Sequence, residues 1–344
     1  MIIKRKIKVL VVDDSLLFRE AISRGISLDP VIEVVATASD PYMARDKILE
    51  FEPDVMTLDV EMPKMNGIEF LKRLMPQYPL PVVVVSAVSS NVFDALNVGA
   101  VDFVTKPDMK NGAGLESLIN ELVIKIKIAS TAKVGHWKRA ASSSIQTNKV
   151  GTAQKRKIVA IGASTGGTEA IQQVLRSLPK DMPGIVIVQH MPPVFTRMYA
   201  ERLNEICSIE VCEAKNGDQV IPGRALIAPG DFHMRLKRCG SAYTVECFKG
   251  EKVNGHCPSV DVLFESIAKE NGKDSIGVIL TGMGYDGAKG MLAMRKNGSR
   301  TIGQDEQTSV VYGMPKVAFD IGAVEKQVPL DNIARAICSL VSGG

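Results

Sequence analysis

Residues 155–170 read K-R-K-I-V-A-I-G-A-S-T-G-G-T-E-A, and this stretch decides how the second half of the chain folds. The apolar, β-branched run at residues 158–161 is typical of a buried parallel strand. Apolar residues then recur at helical spacing up to residue 175. Ser164 therefore lies in a glycine-rich turn between a strand and a helix, next to the free N–H groups of the helix start.

This turn allows three interpretations. A serine raised on a strand-to-helix turn, beside backbone N–H groups that can bind an oxyanion, is the arrangement of a nucleophile elbow. The same G-x-S-x-G pattern often only connects a strand to a helix. A dinucleotide-binding loop fits less well, because Ser164 occupies the position of the middle glycine in G-x-G-x-x-G. Residues at the ends of neighbouring strands must distinguish these interpretations.

The composition indicates an ordinary globular protein of 344 residues, 45% apolar and 23% charged, with room for two domains. No run approaches the roughly 20 apolar residues of a membrane span, and the first residues lack a signal-peptide pattern. We therefore expect a cytoplasmic protein with no membrane insertion. The cysteines form no C-x-x-C pair, so neither a disulfide framework nor a zinc site is expected. They are Cys207, Cys212, Cys239, Cys247, Cys257 and Cys338.

Positive charge is concentrated in one segment. Residues 125–157 contain nine Lys or Arg and no acidic residue. Since the net charge of the whole chain is +4, the rest of the chain has a net charge of −5. Small polar residues without periodicity fill most of this segment, so residues 129–154 are predicted to be a basic, flexible linker. The predicted domains are then residues 1–128 and 155–344. A charge confined to a linker argues against a nucleic-acid-binding domain.

Residues 1–128 alternate apolar runs with helical patterns five times, which predicts a parallel sheet with helices on both faces. The apolar runs lie at residues 7–12, 31–36, 55–58, 82–85 and 101–104. Functional residues of such a sheet gather beyond the carboxyl ends of the strands. The polar residues found there are Asp13, Asp14, Asp59, Ser86 and Lys106.

Three carboxylates at one sheet edge repel one another unless a cation neutralises them, and hard oxygen ligands suit Mg²⁺. Asp13 or Asp14 alone could instead be a helix cap. Capping does not explain a third aspartate, a serine and a Lys-Pro pair on the same edge. The segment resembles the receiver domain of two-component response regulators, a flavodoxin-like fold. The motifs that carry this resemblance are D-D-S, L-D-V-E-M-P-x-M-N-G, a serine after the fourth strand and K-P after the fifth.

This resemblance implies a phosphorylation site at Asp59, with a histidine kinase as the phosphodonor. It also implies that Asp14, Asp59 and the Glu61 carbonyl hold Mg²⁺, with Asp13 in support. The switch residues implied by the resemblance are Ser86, Phe103 and Lys106.

The second half is also predicted to be a doubly wound, mostly parallel α/β domain, with antiparallel hairpins inserted at residues 209–249. His190 follows the strand predicted at residues 185–188, and Asp286 lies past the strand predicted at residues 276–280. In a parallel sheet, Ser164, His190 and Asp286 share one edge, as a nucleophile, a base and its orienting group require. Each of these residues could instead have a purely structural role, such as a helix cap for Asp286. The chain order of α/β-hydrolases would instead need Asp218 or Asp231 with His233 or His256, within the hairpin region.

With a receiver in front, the whole chain resembles the chemotaxis response-regulator protein-glutamate methylesterases. The motifs that carry this resemblance are I-G-A-S-T-G-G (161–167), Q-H-M (189–191), I-A-P-G-D-x-H (227–233), P-S-V-D-V-L-F (258–264) and T-G-M-G-x-D-G (281–287). The resemblance implies hydrolysis of γ-glutamyl methyl esters on the cytoplasmic helices of chemoreceptors, release of methanol, and deamidation of receptor glutamines. It implies Ser164 as nucleophile, His190 as general base and acid, Asp286 as orienter, and the backbone N–H groups of Thr165 and Met283 as oxyanion donors. No metal is expected in the esterase step.

Two other classes of protein would use the same features differently. A DNA-binding response regulator would use the basic segment, and a nucleotide-dependent enzyme would use residues 162–167 as a phosphate loop. The second class needs a ribose-binding acid at the end of the next strand, where this chain has Gln189 and His190.

Overall fold

A computed structural model of the chain describes residues 5–63, 65–87, 91–107, 113–134 and 157–343. The chain divides into two compact units, Met1–Trp137 and Lys138–Gly344. Most of the predicted linker, from residue 135 onwards, lies outside the described residues, so the linker and its boundaries stay predictions. Within the described ranges, no helix is both long and apolar enough to span a membrane.

The first unit is a five-stranded parallel sheet, as predicted, and its strand order is β2-β1-β3-β4-β5. Its elements are β1 (Ile7–Val12), α1 (Leu16–Ile26), β2 (Ile32–Ala38), α2 (Pro41–Phe51), β3 (Val55–Asp59), α3 (Gly67–Leu74), β4 (Val82–Ser86), α4 (Asn91–Asn97), β5 (Asp102–Thr105) and α5 (Ala113–Ala129). Side chains cap three of the helices at their N-termini: Ser15, Asp40 and Asn66 each accept a hydrogen bond from the first turn.

The second unit contains a seven-stranded parallel sheet in the order β14-β13-β12-β6-β7-β9-β8. Its elements are β6 (Ile158–Ala163), α6 (Gly167–Arg176), β7 (Gly184–Gln189), α7 (Phe195–Ile206), β8 (Glu210–Glu213), β9 (Arg224–Ile227), β10 (His233–Cys239), β11 (Ala242–Phe248), α8 (Val260–Glu270), β12 (Ser275–Ile279), α9 (Ala288–Lys296), β13 (Arg300–Gln304), α10 (Met314–Asp320), β14 (Lys326–Val328) and α11 (Leu330–Ser342). The strand order reverses between β6 and β12, where open α/β sheets bind their ligands.

The predicted hairpin region is only partly a hairpin. β10 and β11 form the antiparallel pair, from His233↔Phe248 to Cys239↔Ala242. β8 and β9 instead extend the parallel sheet beside β7. Short strands of this composition can pair either way, and the helix α7 that precedes β8 provides the crossover that a parallel strand needs. The expectation of several antiparallel hairpins at residues 209–249 was therefore wrong for β8 and β9.

Alternation along β6 directs its side chains to both faces of the sheet. Ile158 and Ala160 join the buried cluster that contains Val260 and Phe264 of α8. Gly162 is the next residue on this face, and a Cβ there would lie 2.2 Å from Val260 Cγ1. The glycine before the serine turn thus allows α8 to approach β6 closely.

This close approach predicts that Gly162→Ala destabilises the second unit by about 1–3 kcal/mol through overpacking. Val260→Ala removes the methyl groups that the new Cβ would meet, so the double variant should lose less stability than the sum of the two single variants. Urea unfolding of residues 157–343, followed by circular dichroism, measures the three free energies. Strict additivity would show that Gly162 is not needed for this contact.

Candidate functional site

The register of the sheet brings Ser164 and His190 to adjacent strand ends. Ala163, the last residue of β6, pairs with Gln189, the last residue of β7. The His190 N–H donates to the Ala163 carbonyl at 3.1 Å, and the Gln189 side chain donates to the Ser164 carbonyl at 3.0 Å. The predicted nucleophile and base therefore lie side by side at the carboxyl edge of the central strands.

The loop after β12 closes against Ser164 through its backbone. The Ser164 N–H donates to the Thr281 carbonyl at 3.0 Å. A Cβ on Gly282 would lie 2.7 Å from Ser164 Cβ, so only glycine allows this approach. Met283, the next residue, is 46% exposed. Thr165, the other predicted oxyanion donor, is buried directly after Ser164.

The same loop continues to Asp286, whose Oδ2 lies 2.8 Å from His190 Nε2. Both side chains are almost completely buried. The other ring nitrogen, Nδ1, is also buried, and no described group hydrogen-bonds to it. A carboxylate on Nε2 fixes the tautomer and leaves Nδ1 as the nitrogen that can accept a proton.

Asp286 is a buried carboxylate that accepts hydrogen bonds from several surrounding groups. Its two oxygens accept hydrogen bonds from the backbone N–H groups of Val260 and Asp261 at the start of α8, at 2.7 and 3.1 Å. Ser259 Oγ and Asn254 Nδ2 donate to Oδ1, both at 2.8 Å. Burial alone would raise the pKa of Asp286, but the His190 contact and these donors lower it well below its usual value. Asp286 is therefore held as a carboxylate.

Sequence reasoning assigned no group to the surroundings of Asp286 and His190, and it named His256 only as an alternative base. Asn254 Nδ2 also donates to Asp261 Oδ2 at 2.7 Å, so one amide bridges two buried carboxylates. The His256 ring stacks on the His190 ring with centroids 3.7 Å apart and planes 10° from parallel. The Asn-Gly pair at residues 254–255 is a strong turn signal that could have pointed to this segment. Ser259 and Asp261 belong to the quoted P-S-V-D stretch, but nothing in the sequence assigned them a role.

Among the described residues, the alternative histidines and aspartates of the hairpin region form no His–Asp hydrogen bond with one another. His233 Nε2 donates to the Glu251 carbonyl at 2.9 Å, and its Nδ1 accepts the Ser259 N–H at 3.3 Å. Asp218 Oδ2 accepts the Lys215 N–H at 2.8 Å, and Asp231 is exposed. The carboxylate beside His190 is Asp286, and the remaining alternative histidine, His256, stacks on His190 rather than pairing with either aspartate.

In the first unit, the three predicted aspartates gather at the carboxyl edge of the sheet. Ligand oxygens of Asp13, Asp14 and Asp59 all lie within 4.8 Å of one another. Lys106 Nζ lies 2.6 Å from Asp59 Oδ2 and 2.8 Å from Asp13 Oδ2. Burial would lower the pKa of Lys106, but these two carboxylates raise it overall, so the ammonium stays charged. The Glu61 N–H donates to Asp59 Oδ1 at 3.1 Å, which places its backbone beside the cluster.

The remaining predicted switch residues are also buried. Ser86 ends β4 with 1% exposure, and its hydroxyl has no hydrogen-bond partner among the described residues. Phe103 lies in β5, where the Lys125 ammonium contacts both its carbonyl and the face of its ring. An unpaired buried hydroxyl beside a carboxylate cluster is a polar group available for a ligand.

Comparison with known proteins agrees with both halves of this description. Residues 9–113 match the response regulator receiver domain, and residues 159–337, just over half of the chain, match the family described as CheB methylesterase. The chain belongs to the CheB methylesterase family. The predicted resemblance is confirmed.

Relatives match this chain over nearly its whole length. A protein-glutamate methylesterase/protein-glutamine glutaminase of Syntrophomonas wolfei is 62% identical over 98% of both chains. The protein of the same name from Salmonella typhimurium is 47% identical, again over 98% of both chains. The CheB methylesterase catalytic domain of Thermotoga maritima has 40% identity and a TM-score of 0.53, covering 54% of this chain and 98% of that one. The catalytic-domain fold is therefore shared.

Burial and then the charge of His190 lower the pKa of His256 to about 4. His256 should therefore be neutral above about pH 5. Since the unfolded side chain has a pKa of about 6.5, this histidine should destabilise the fold as the pH falls from 6.5 towards 4. Proton–carbon NMR of the four histidines, assigned with a His256→Phe variant, measures the titration. A titration midpoint of His256 above pH 6 would contradict the lowered pKa of this side chain.

Proposed function

We propose that this protein is a phosphorylation-activated protein-glutamate methylesterase and protein-glutamine glutaminase. Its substrates are γ-glutamyl methyl esters and glutamines on the cytoplasmic helices of chemoreceptors, which places its action in the cytoplasm and in chemotactic adaptation. The observation that carries the proposal is the 2.8 Å contact between His190 Nε2 and Asp286 Oδ2, at the strand edge that presents Ser164. The names of the relatives support protein-bound glutamate methyl esters and glutamines as substrates, and the receptor helices are what the resemblance described above implies.

The reaction is acyl transfer with Ser164 as nucleophile. Ser164 Oγ attacks the ester carbonyl while His190 Nδ1 accepts its proton, and Asp286 stabilises the resulting imidazolium. His190 then returns the proton to the departing methoxide, which leaves as methanol. Water repeats the sequence on the glutamyl-enzyme and releases the free carboxyl group. With a glutamine substrate, ammonia leaves in place of methanol.

The oxyanion of each tetrahedral intermediate would bind to the backbone N–H groups of Thr165 and Met283. This assignment follows the resemblance, and the close packing of Gly282, the residue before Met283, against Ser164 supports it. General acid–base catalysis contributes about 10²–10⁴-fold in rate, and an oxyanion donor a further 10²–10³-fold. The charges and dipoles of these residues suffice for the esterase step, so we assign no metal to it.

In the receiver, Asp59 would accept a phosphoryl group from a chemotaxis histidine kinase. Asp14, Asp59 and the Glu61 carbonyl, with Asp13 beside them, would hold Mg²⁺, and their clustering within 4.8 Å fits a divalent cation. Bound there, the ion would neutralise the phosphoryl charge. Lys106 would bind a phosphoryl oxygen from its place beside Asp59, and the unpaired Ser86 hydroxyl would bind another. Phe103 follows on the neighbouring strand as the third switch residue.

Ser164→Ala should reduce methanol release from methylated receptor membranes by at least about 10³-fold, because the reaction loses its nucleophile. Methanol is measured in the headspace or by coupled oxidation. Ser177→Ala serves as a matched control and should keep full activity. Ser177 is the C-cap of α6, the helix that follows Ser164. Release by the Ser164→Ala protein at more than a few per cent of the wild-type rate would exclude Ser164 as the nucleophile.

Asp59→Asn should abolish the acceleration of methanol release by a small-molecule phosphodonor with Mg²⁺, since an amide cannot form the acyl phosphate. The basal rate without phosphodonor should persist. Asp46→Asn, an exposed aspartate paired with Arg45 in the same unit, is the control and should respond like the wild type. If the Asp59→Asn protein still responded, phosphorylation would have to occur elsewhere.

A further inference from the structure

The tight turn Val253–His256 positions two side chains, those of Asn254 and His256, beside Asp286 and His190. The N–H and C=O groups of Val253 and His256 hydrogen-bond to each other in both directions at 3.0 Å, closing a two-residue loop. Asn254 and Gly255 form the loop with φ of 53° and 84°. Positive φ at both positions is the signature of a type I′ turn, which Asn-Gly favours. The backbone of this turn is therefore well specified by its own sequence.

Asn254 anchors the turn to the carboxylate network. Its amide nitrogen donates to Asp286 Oδ1 at 2.8 Å and to Asp261 Oδ2 at 2.7 Å. Asp261 is in turn fixed to the Gly290 N–H at 2.7 Å. Because both carboxylates are buried, these charge-assisted hydrogen bonds hold the turn in one place relative to Asp286.

His256, two residues later, covers one face of His190. The ring centroids are 3.7 Å apart and the planes differ by only 10°. Two rings stacked in this way direct their nitrogen lone pairs along parallel planes, and hydrogen bonds to imidazole lie in the ring plane. His256 therefore cannot pass a proton directly to His190 in this arrangement.

The stack supplies a constraint that the Asp286 contact lacks. A single hydrogen bond from Nε2 to Oδ2 holds the His190 ring at one atom but does not by itself set the plane of the ring, on which the direction of Nδ1 depends. A flat partner against the ring face sets that plane. A neutral partner also avoids placing a second positive charge beside the imidazolium that forms during catalysis.

We propose that the turn Val253–His256 is a positioning element, in which His256 sets the plane of the His190 ring and Asn254 fixes the turn to Asp286. This inference depends on the proposed function only in so far as that function names the natural substrate. The geometry applies to any reaction in which Ser164 is activated by His190.

Three variants at two positions separate this role from others. His256→Phe keeps a flat ring without nitrogen atoms, and His256→Ala removes the ring. Asn254→Gly keeps the positive φ of the turn but removes the amide. Each full-length protein is assayed for kcat and KM of methanol release and for thermal unfolding. Each is also assayed for the rate at which a fluorophosphonate labels Ser164, a reaction in which Oγ bonds to phosphorus and fluoride leaves.

His256→Ala should lower kcat and the labelling rate by about 10–100-fold with little change in KM, as expected for a misplaced base. His256→Phe should restore both to within about threefold of the wild type, and Asn254→Gly should fall between them. Equal losses in the Phe and Ala proteins would overturn the proposal and make the imidazole itself the active group. Unchanged rates in the Ala protein would also overturn it.

The labelling assay keeps this test independent of the proposed substrate. If wild-type protein reacts with the fluorophosphonate but releases no methanol from receptor membranes, the proposed function fails and the positioning role is decided by the labelling rates alone. Loss of activity that follows only the loss of thermal stability, with the Phe protein no better than the Ala protein, would indicate a purely structural role and contradict the proposal.

Discussion

The second unit depends on the solvation of one buried carboxylate. Asp286 has almost no contact with water, so protein groups must replace its hydration. The donors come from three separate places: the first turn of α8 with Ser259, the Asn254 turn, and His190. A helix N-terminus is suited to this task because its N–H groups are free and its dipole favours negative charge. The segments that fold around Asp286 are therefore the same ones that place His190 beside it.

The first unit balances its carboxylates in a different way. Asp13 and Asp59 also lie at the carboxyl ends of parallel strands, but a single ammonium, that of Lys106, lies between them. Lys106 is one long, flexible side chain, whereas Asp286 is held by backbone and side-chain donors from several segments. The buried carboxylate of the second unit is thus fixed by several segments at once, whereas Asp13 and Asp59 of the first unit share one ammonium.

Most of this arrangement was predictable because parallel strands place their ends together. Ser164, His190, Asp59, Ser86 and Lys106 each stand at or directly after a strand end, so strand recognition was enough to group them. Asp286 was within reach because only a short loop separates it from β12. The parallel pairing of β8 and β9 was not predictable from alternation, which reports burial rather than strand direction. The His256 stack depends on a contact between segments 66 residues apart, and no local pattern encodes it.

The glycine that lies against Ser164 limits how this enzyme could be redesigned. Gly282 leaves no space for a side chain, so the wall next to the nucleophile consists of main chain. Substitution cannot enlarge or reshape that wall, and an engineered preference for bulkier esters cannot be built there. The exposed side chains of Met283 and Tyr285 form the nearest part of the loop that can change without disturbing the core. A library aimed at new leaving groups would therefore vary these two positions and keep Gly282 fixed.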